Sequence, residues 1–340
     1  ALTANGFVNI VVLATDFRTS FPLLEFQFHN ETYSLSSVFS LLTAAILISV
    51  IRKLLDIKNW EGIADSIYVA HRENPKIDTK KGLGSTLASL VVISGGGSVG
   101  QYGPLVHFGS TIGLFIKNFF KLKMSPDIFI GCGVAAAIAA GFNAPLAGIL
   151  FAHEAILRHF SLRAIAPISI SSFSASAFGE YFFGNSPALF ELSQQVPPLN
   201  EVLPILILLG PAFAIITVCF MIALRAASKY AVLNERYRIF LPFIAALICG
   251  SVGVFLPEIM GLGIGAINDL IAGNISLTKV SMLLIAKISM TALCIGFGLF
   301  GGIFSPALFI GVSAGSVAAG FFAAIGYPDL TQVIIISGMA

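Results

Sequence analysis

Long apolar runs alternate with shorter, interrupted ones along this chain of 340 residues. A helix that crosses the roughly 30 Å apolar core of a bilayer needs about 20 apolar residues. Spanning helices are predicted for residues 36–51, 128–156, 202–224, 239–256 and 277–300. Other runs are too short to span or are interrupted by glycine and proline, at residues 62–70, 82–99, 105–120 and 307–325. The pattern predicts an all-α membrane protein with broken, tilted helices, because broken backbone at membrane depth must be buried in protein or line a cavity.

The composition supports a lipid environment. Hydrophobic residues make up 56% of the chain and charged residues 11%, against about 25% charged in soluble domains. A soluble domain of this size would need more polar residues to cover its core. The net charge of +2 and the lack of a long basic run do not indicate a nucleic-acid partner. We therefore expect a multi-pass integral membrane protein with the bilayer as its partner, in a bacterial inner membrane or a plasma membrane.

The interrupted segments form an internal repeat. Gly62 and Gly263 each open a short segment, and Pro104 and Pro306 follow after 42 and 43 positions. Repeats with broken helices in corresponding places indicate a binding site near the membrane midplane. The second copy stops at Ala340, where its counterpart continues, so we expect both ends of the fold to be missing. The predicted halves are residues 1–200 and 201–340.

Both copies place glycine before a proline-initiated helix, in Gly100-Gln101-Tyr102-Gly103-Pro104 and Gly301-Gly302-Ile303-Phe304-Ser305-Pro306. Proline is favoured in the first helical turn, and glycine allows backbone amides to approach a ligand closely. Free N–H groups at such a helix start bind an anion without a buried cation. The alternative is two ordinary helix starts, and the matching repeat positions favour one shared anion site.

These two motifs, together with Phe142-Asn143-Ala144-Pro145-Leu146-Ala147-Gly148, resemble in order the signature sequences of the CLC family of chloride channels and chloride/proton antiporters. The likeness extends from Trp60 to Ala340. It implies an inverted-repeat fold, a homodimer with one pore in each subunit, and chloride as the transported ligand with no cofactor.

The resemblance also implies which residues bind the anion. In the family, amides at the positions of Ile303 and Phe304 bind a central chloride, and an outer site lies at the other motif. The predicted anion-binding residues are Gln101, Tyr102, Gly103, Ile303, Phe304 and Ser305.

Two positions depart from the pattern of the proton-coupled members. Tyr102 replaces the gating glutamate, and a phenol with a reference pKa of about 10 is neutral at pH 7. It would neither compete with chloride as an anion nor carry protons readily, but as a gating residue it would plug the path or donate its hydroxyl. Ala155 replaces the internal proton-accepting glutamate, so no proton pathway is predicted. Glu154 is a possible substitute, although an ion pair with Arg158 is the favoured interpretation.

A third departure lies at Glu61, where the family has a chloride-contacting serine. A carboxylate there would repel chloride unless it is protonated or turned away. Either the central site is altered or the alignment is displaced locally, so Glu61 is included among the anion-binding candidates with this reservation.

The remaining polar residues give weaker indications of function. We expect His107 to be a satisfied packing histidine. Lys287, inside an apolar run, is a functional candidate by default, or it bonds to carbonyls at a helix break or snorkels. His153 and His159 lack metalloprotease spacing and the cysteines lack paired spacing, so no metal site is predicted.

The sequence favours passive chloride conduction without proton coupling. One alternative is a chloride/proton antiporter that uses Glu154, Glu61 or a water path. Another is a non-conducting relative that senses or scaffolds, with Tyr102 as a permanent plug. An enzyme is the least supported class, since no nucleophile–base pair is evident.

Overall fold

The protein folds almost entirely into helices. A computed structural model describes residues 2–20, 24–28, 31–72, 77–184, 198–327 and 330–339. Within these ranges the α-helices, named α1 to α14 in chain order, are Leu2–Ser20, Ser36–Leu54, Ile63–Ala70, Thr79–Ser94, Tyr102–Phe119, Pro126–Phe142, Pro145–Phe151, Leu162–Phe183, Leu199–Leu233, Leu241–Phe255, Ile264–Ile271, Leu277–Gly296, Phe304–Ala324 and Thr331–Ser337. Two short strands, β1 (Glu25–Phe28) and β2 (Glu31–Ser34), pair antiparallel and were not predicted.

In the described part of the chain, four helices are long and apolar enough to cross a membrane: α2, α9, α12 and α13. The first three were predicted as spanning helices. The prediction that the segment at 307–325 is too short or too interrupted to span was wrong, because α13 begins earlier, at Phe304, and continues for 21 residues. Its proline is Pro306, which lies in the first turn, where a missing N–H removes no helical hydrogen bond.

The prediction of one helix across residues 128–156 was also wrong. Helix α6 ends at Phe142, Asn143 adopts a left-handed conformation with φ of 50°, and α7 restarts at Pro145. Proline restricts the residue before it and cannot donate a backbone hydrogen bond, so the helix has to restart there. Helix α7 then runs into a π-helical turn, Ala152–Leu157, which ends at Arg158.

Helix α9 is longer than the pattern predicted, and helix α8 was not predicted. Helix α9 extends the predicted run to Leu233, and the predicted boundary at residue 200 falls in its first turn. The division into two halves therefore stays a prediction. Helix α8 was missed because serines interrupt its apolar pattern. Two of them donate hydrogen bonds to carbonyls of neighbouring helices, Ser171 to Cys132 at 2.9 Å and Ser172 to Pro145 at 2.7 Å.

The repeat seen in the sequence is also a repeat of helix packing. Helices α3 and α11 each have eight residues, and α5 and α13 follow them in the two copies. Gly109 and Gly311 each lie five positions after the proline of their motif. A Cβ on Gly109 would collide with the carbonyl of Gly133 on α6, and one on Gly311 with the carbonyl of Gly338, directly after α14. The two copies thus share the same close approach of a helix pair.

The outward faces of the long helices are apolar. On α9 the side chains of Ile207, Leu208 and Ile215 are each about two-thirds exposed. In water, an apolar surface of this extent would promote association. In a bilayer the same surface contacts the apolar lipid chains. The helices therefore present the surface expected of a chain embedded in lipid.

Candidate functional site

The first component of the site is the N-terminus of α5. Gln101 precedes the helix, and the backbone N–H of Leu105 donates to the carbonyl of Gln101 at 3.1 Å. The N–H groups of Tyr102 and Gly103 lie before this first bond, so the helix supplies them with no acceptor, and Pro104 has no N–H. No side chain caps this end. Two backbone donors and the positive end of the helix dipole are therefore available to a ligand.

The N-terminus of α13 repeats this arrangement. Ile303 precedes the helix, and the N–H of Ala307 donates to the carbonyl of Ile303 at 2.9 Å. The N–H groups of Phe304 and Ser305 have no helical acceptor, and no side chain caps them. The side chain of Ile303 is 50% exposed, so this end opens to accessible space.

The two helix starts are joined directly. Gly100 and Gly302 form an antiparallel bridge, in which each N–H donates to the other residue's carbonyl at 2.6 Å. A Cβ on Gly103 would lie 2.9 Å from the Cα of Gly302, so only glycine permits this approach. The structure thus brings Gln101–Gly103 and Ile303–Ser305 together, as the repeat predicted. The bridge itself had no signal in the sequence.

Two polar side chains beside the bridge each bury one atom that has no protein partner. The amide oxygen of Gln101 and the hydroxyl of Ser305 have no hydrogen-bond partner among the described residues. Buried polar atoms are almost always paired with protein, water or a ligand. A hydroxyl and backbone amides are donors suited to a halide, and the carbonyl oxygen of Gln101 is suited to water that accompanies one.

Tyr102 lies sideways against an aromatic cluster. Its ring stacks on Phe142 with centroids 3.6 Å apart and meets the edge of Phe304 at 6.1 Å. Its hydroxyl donates to the carbonyl of Gly141 at 3.3 Å. In this conformation the hydroxyl proton is used by α6 and is not offered to an anion. A gating role through steric obstruction stays a prediction.

Glu61 is turned toward two basic groups. One carboxylate oxygen lies 3.6 Å from Nζ of Lys81, and the other lies 3.5 Å from Nε2 of His107. The nearby N–H of Gly62 is occupied by the carboxylate of Asp65 at 2.8 Å. Sequence reasoning missed Lys81 because it lies on another helix, α4. It also missed Asp65, although an acidic residue three positions after a helix N-cap is a local signal for this bond. Of the options that the sequence left open for Glu61, a turned-away carboxylate agrees with this geometry.

The prediction of an ion pair between Glu154 and Arg158 was wrong. Neither residue makes an ion pair with the other in the described chain, and Glu154 is exposed. Four-residue spacing pairs side chains on an α-helix, but this segment is a π-helical turn that ends with Arg158 at φ of 56°. Ala155 occupies the same turn and offers no titratable group.

Lys287 is completely buried and bonded to a helix break. Its Nζ donates to the carbonyls of Ile259 at 2.8 Å and Gly261 at 3.1 Å, and it lies 4.9 Å from the ring centroid of Phe309. These carbonyls stand just before α11, so the lysine holds the second copy's short helix against α12. The alternative of a lysine bonded to carbonyls at a break is confirmed.

Comparison with known proteins gives a consistent result. The family model described as voltage gated chloride channel matches residues 41–340. The H(+)/Cl(-) exchange transporter ClcA of Vibrio vulnificus is 33% identical over 240 residues, which cover 68% of this chain and 51% of that protein. ClcA of Vibrio campbellii is 32% identical over 252 residues, covering 71% and 53%. The chain spans about half the length of the curated relatives it matches.

Solved structures show a similar fold. A CLC-type fluoride/proton antiporter superposes with a TM-score of 0.82 at 23% identity, covering 99% of this chain and 80% of that one. A slow cyanobacterial Cl-/H+ antiporter gives 0.84 at 20% identity, covering 99% and 81%. At these identities the likeness concerns the fold alone.

Proposed function

This chain belongs to the voltage-gated chloride channel (CLC) family, and from that premise we propose that it conducts chloride passively past its two amide-bearing helix starts, without coupling to protons. The predicted inverted-repeat CLC-type fold is confirmed. The protein is a multi-pass integral membrane protein of the inner membrane, since it belongs to this family and its relatives are bacterial. Members of this family are channels and transporters, which supports transport rather than catalysis.

Anion passage is supported by the converging amides. The four uncapped N–H groups of Tyr102, Gly103, Phe304 and Ser305 come from helices joined by the bridge between the two glycine motifs. Backbone dipoles stabilise a dehydrated anion, and they release it more readily than a buried cation would. This convergence is the observation that carries the proposal.

The absence of coupling is supported by two side chains. Proton-coupled transport needs groups that exchange protons along a path, and the resemblance places these at Tyr102 and Ala155. The tyrosine hydroxyl is held by the carbonyl of Gly141, and alanine has no titratable group. Both positions that the family uses for proton transfer are therefore without a carboxylate.

Chloride/proton exchange is the second candidate. The curated relatives are named exchange transporters. In this chain Glu61 and His107 bring a carboxylate and an imidazole to 3.5 Å from each other. Exchange would require these groups to take the place of both missing carboxylates. Glu154, the other substitute considered, lies exposed on a π-helical turn.

The test is chloride efflux from proteoliposomes with simultaneous recording of external pH. The vesicles are loaded with chloride, and the external medium is weakly buffered. Valinomycin and potassium hold the membrane potential near zero. We expect chloride efflux without proton movement in a fixed ratio. Proton movement that accompanies chloride at a constant ratio under the clamp would support exchange, and zero anion flux would support a non-conducting relative.

We also propose the homodimer that the family resemblance implies. Each subunit would then carry its own anion route, because all four amides come from one chain. Cross-linking of the purified protein in nanodiscs measures this state, and a monomer that still conducts would contradict the dimer without affecting the anion route.

A further inference from the structure

An ionisable pair, one buried imidazole and one partly exposed carboxylate, lies beside the proposed anion route and is not used by it. The imidazole of His107 is completely buried, and its Nδ1 is 2.8 Å from the hydroxyl of Ser66. Its Nε2 has no hydrogen-bond partner among the described residues and faces the carboxylate of Glu61 at 3.5 Å. The second oxygen of Glu61 faces Lys81 at 3.6 Å. A buried ring nitrogen aimed at a carboxylate is an arrangement that can hold a proton.

The segment that carries Glu61 packs against both amide-bearing loops. The ring of Trp60 lies 5.9 Å from that of Phe300, which directly precedes the second glycine motif. A Cβ on Gly103 would lie 3.8 Å from the side chain of Ile63. The pair is thus separated from the amides of both loops by about one side-chain layer, so a charge placed on it acts on an anion there.

We propose that Glu61 and His107 form a proton-binding site whose protonation raises anion flux. With neutral imidazole, the charges of Glu61 and Lys81 cancel; one bound proton makes the cluster +1. Imidazole is the side chain that ordinarily changes charge between pH 5 and 8. The hydroxyl of Ser66 can donate to Nδ1 or accept from it, so the bond survives in both states.

The proton comes from water and returns to it, so no other reactant is required. Glu61 is 20% exposed and connects the buried ring to solvent. In the described chain, the other charged groups on helices packed against α5 are otherwise placed. Asp65 accepts from Gly62, Lys80 lies at the start of α4 beside the Lys81 of the cluster, Asp127 bonds to Ser125 at the start of α6, and α13 carries no charged residue.

The inference deepens the proposed function and rests on it. The test is chloride efflux from proteoliposomes at equal internal and external pH, at 5.5, 6.5 and 7.5, under the same potential clamp. We expect flux to be about three- to tenfold higher at pH 5.5 than at pH 7.5, from a single charge acting across one side-chain layer. Glu61→Gln and His107→Gln should each remove this dependence.

His71→Gln is the matched control. This histidine is exposed at the end of α3, where its Nδ1 bonds to the carbonyl of Ile67, and its loss should leave the pH profile unchanged. The inference would be overturned if wild-type flux did not change with pH, or if Glu61→Gln and His107→Gln kept the pH dependence of the wild type. Melting curves identify a variant that fails to fold.

A second measurement separates this inference from the proposed function. Nitrogen NMR of labelled histidine in nanodiscs reports ring protonation whether or not chloride moves. We expect the His107 signals to change between pH 5.5 and 7.5 and to shift in Glu61→Gln but not in His71→Gln. An imidazole that does not titrate in this range overturns the inference, whereas fixed-ratio proton movement beside an imidazole that titrates and a pH-dependent flux overturns the proposed function alone.

Discussion

The bridge between Gly100 and Gly302 predicts a large effect from one methyl group. In Gly302→Ala the new Cβ would lie 2.8 Å from the backbone nitrogen of Gly103 and 3.1 Å from the carbonyl oxygen of Gly100. Both neighbours are backbone atoms, so no side-chain rotation relieves the overlap. The loops must separate, and both bridge hydrogen bonds at 2.6 Å are lost or lengthened.

The magnitude follows from three terms. Two hydrogen bonds contribute about 1 kcal/mol each, and overpacking of a tight contact costs about 1–3 kcal/mol. The smaller conformational freedom of alanine in the unfolded chain returns about 0.4–1 kcal/mol. We therefore expect the free energy of unfolding to fall by about 2–4.5 kcal/mol. Anion binding should weaken as well, because the same contact sets the distance between the two amide pairs.

The fluorescence of Trp60 gives a direct assay, since it is the sole tryptophan and packs on Phe300 beside the bridge. The melting temperature in detergent should fall in Gly302→Ala and stay level or rise slightly in Gly265→Ala. The control glycine lies in α11, and a methyl group added to it would meet no atom of the described chain within 4 Å. Equal melting temperatures and equal bromide affinities for the two variants would refute the reasoning.

Three further predictions concern the Tyr102 ring, the backbone amide of Phe304 and the buried Lys287. Tyr102→Ala should raise chloride flux in proteoliposomes because it removes the stacked ring, whereas Tyr102→Phe should change it little and Tyr102→Glu should add a pH dependence that persists in a Glu61→Gln background; equal flux in all three would mean that the side chain does not face the route. Phe304→Pro should weaken bromide binding by about 1.5–3 kcal/mol through loss of one amide, while Ile303→Val should leave it nearly intact; calorimetry measures both, and equal affinities would argue against amide ligation. Lys287→Met should lower the free energy of unfolding by about 2–4 kcal/mol, because two buried carbonyls lose their donor; an unchanged melting temperature would show that the lysine does not secure the break.

The sequence was sufficient to predict the elements that depend on local chemistry. Glycine followed by proline in two matching places indicated uncapped helix starts, and the structure brings those starts together. The break after α6 also had a local signal, since Asn143 and Pro145 favour a left-handed residue and a new helix start. Length of the apolar run outweighed that signal, and the prediction of a continuous helix failed.

Contacts between distant segments could not be predicted in this way. Gly311 lies in a run that the sequence indicated as short or interrupted, although in the structure it permits the close approach of the loop that follows α14. The partners of Glu61 come from two other helices, α4 and α5, so no spacing along the chain indicates them. The π-helical turn around Glu154 likewise overrode the four-residue spacing that suggested an ion pair.

The position of the anion tests the central claim most directly. A crystal of the purified protein soaked in bromide, a heavier substitute for chloride, is measured at the bromine absorption edge. The account predicts an anomalous peak between the amides of Tyr102 and Gly103 and those of Phe304 and Ser305. A well-ordered crystal without a peak there, from a protein with measurable anion flux, would contradict the account, because the anion would then pass elsewhere.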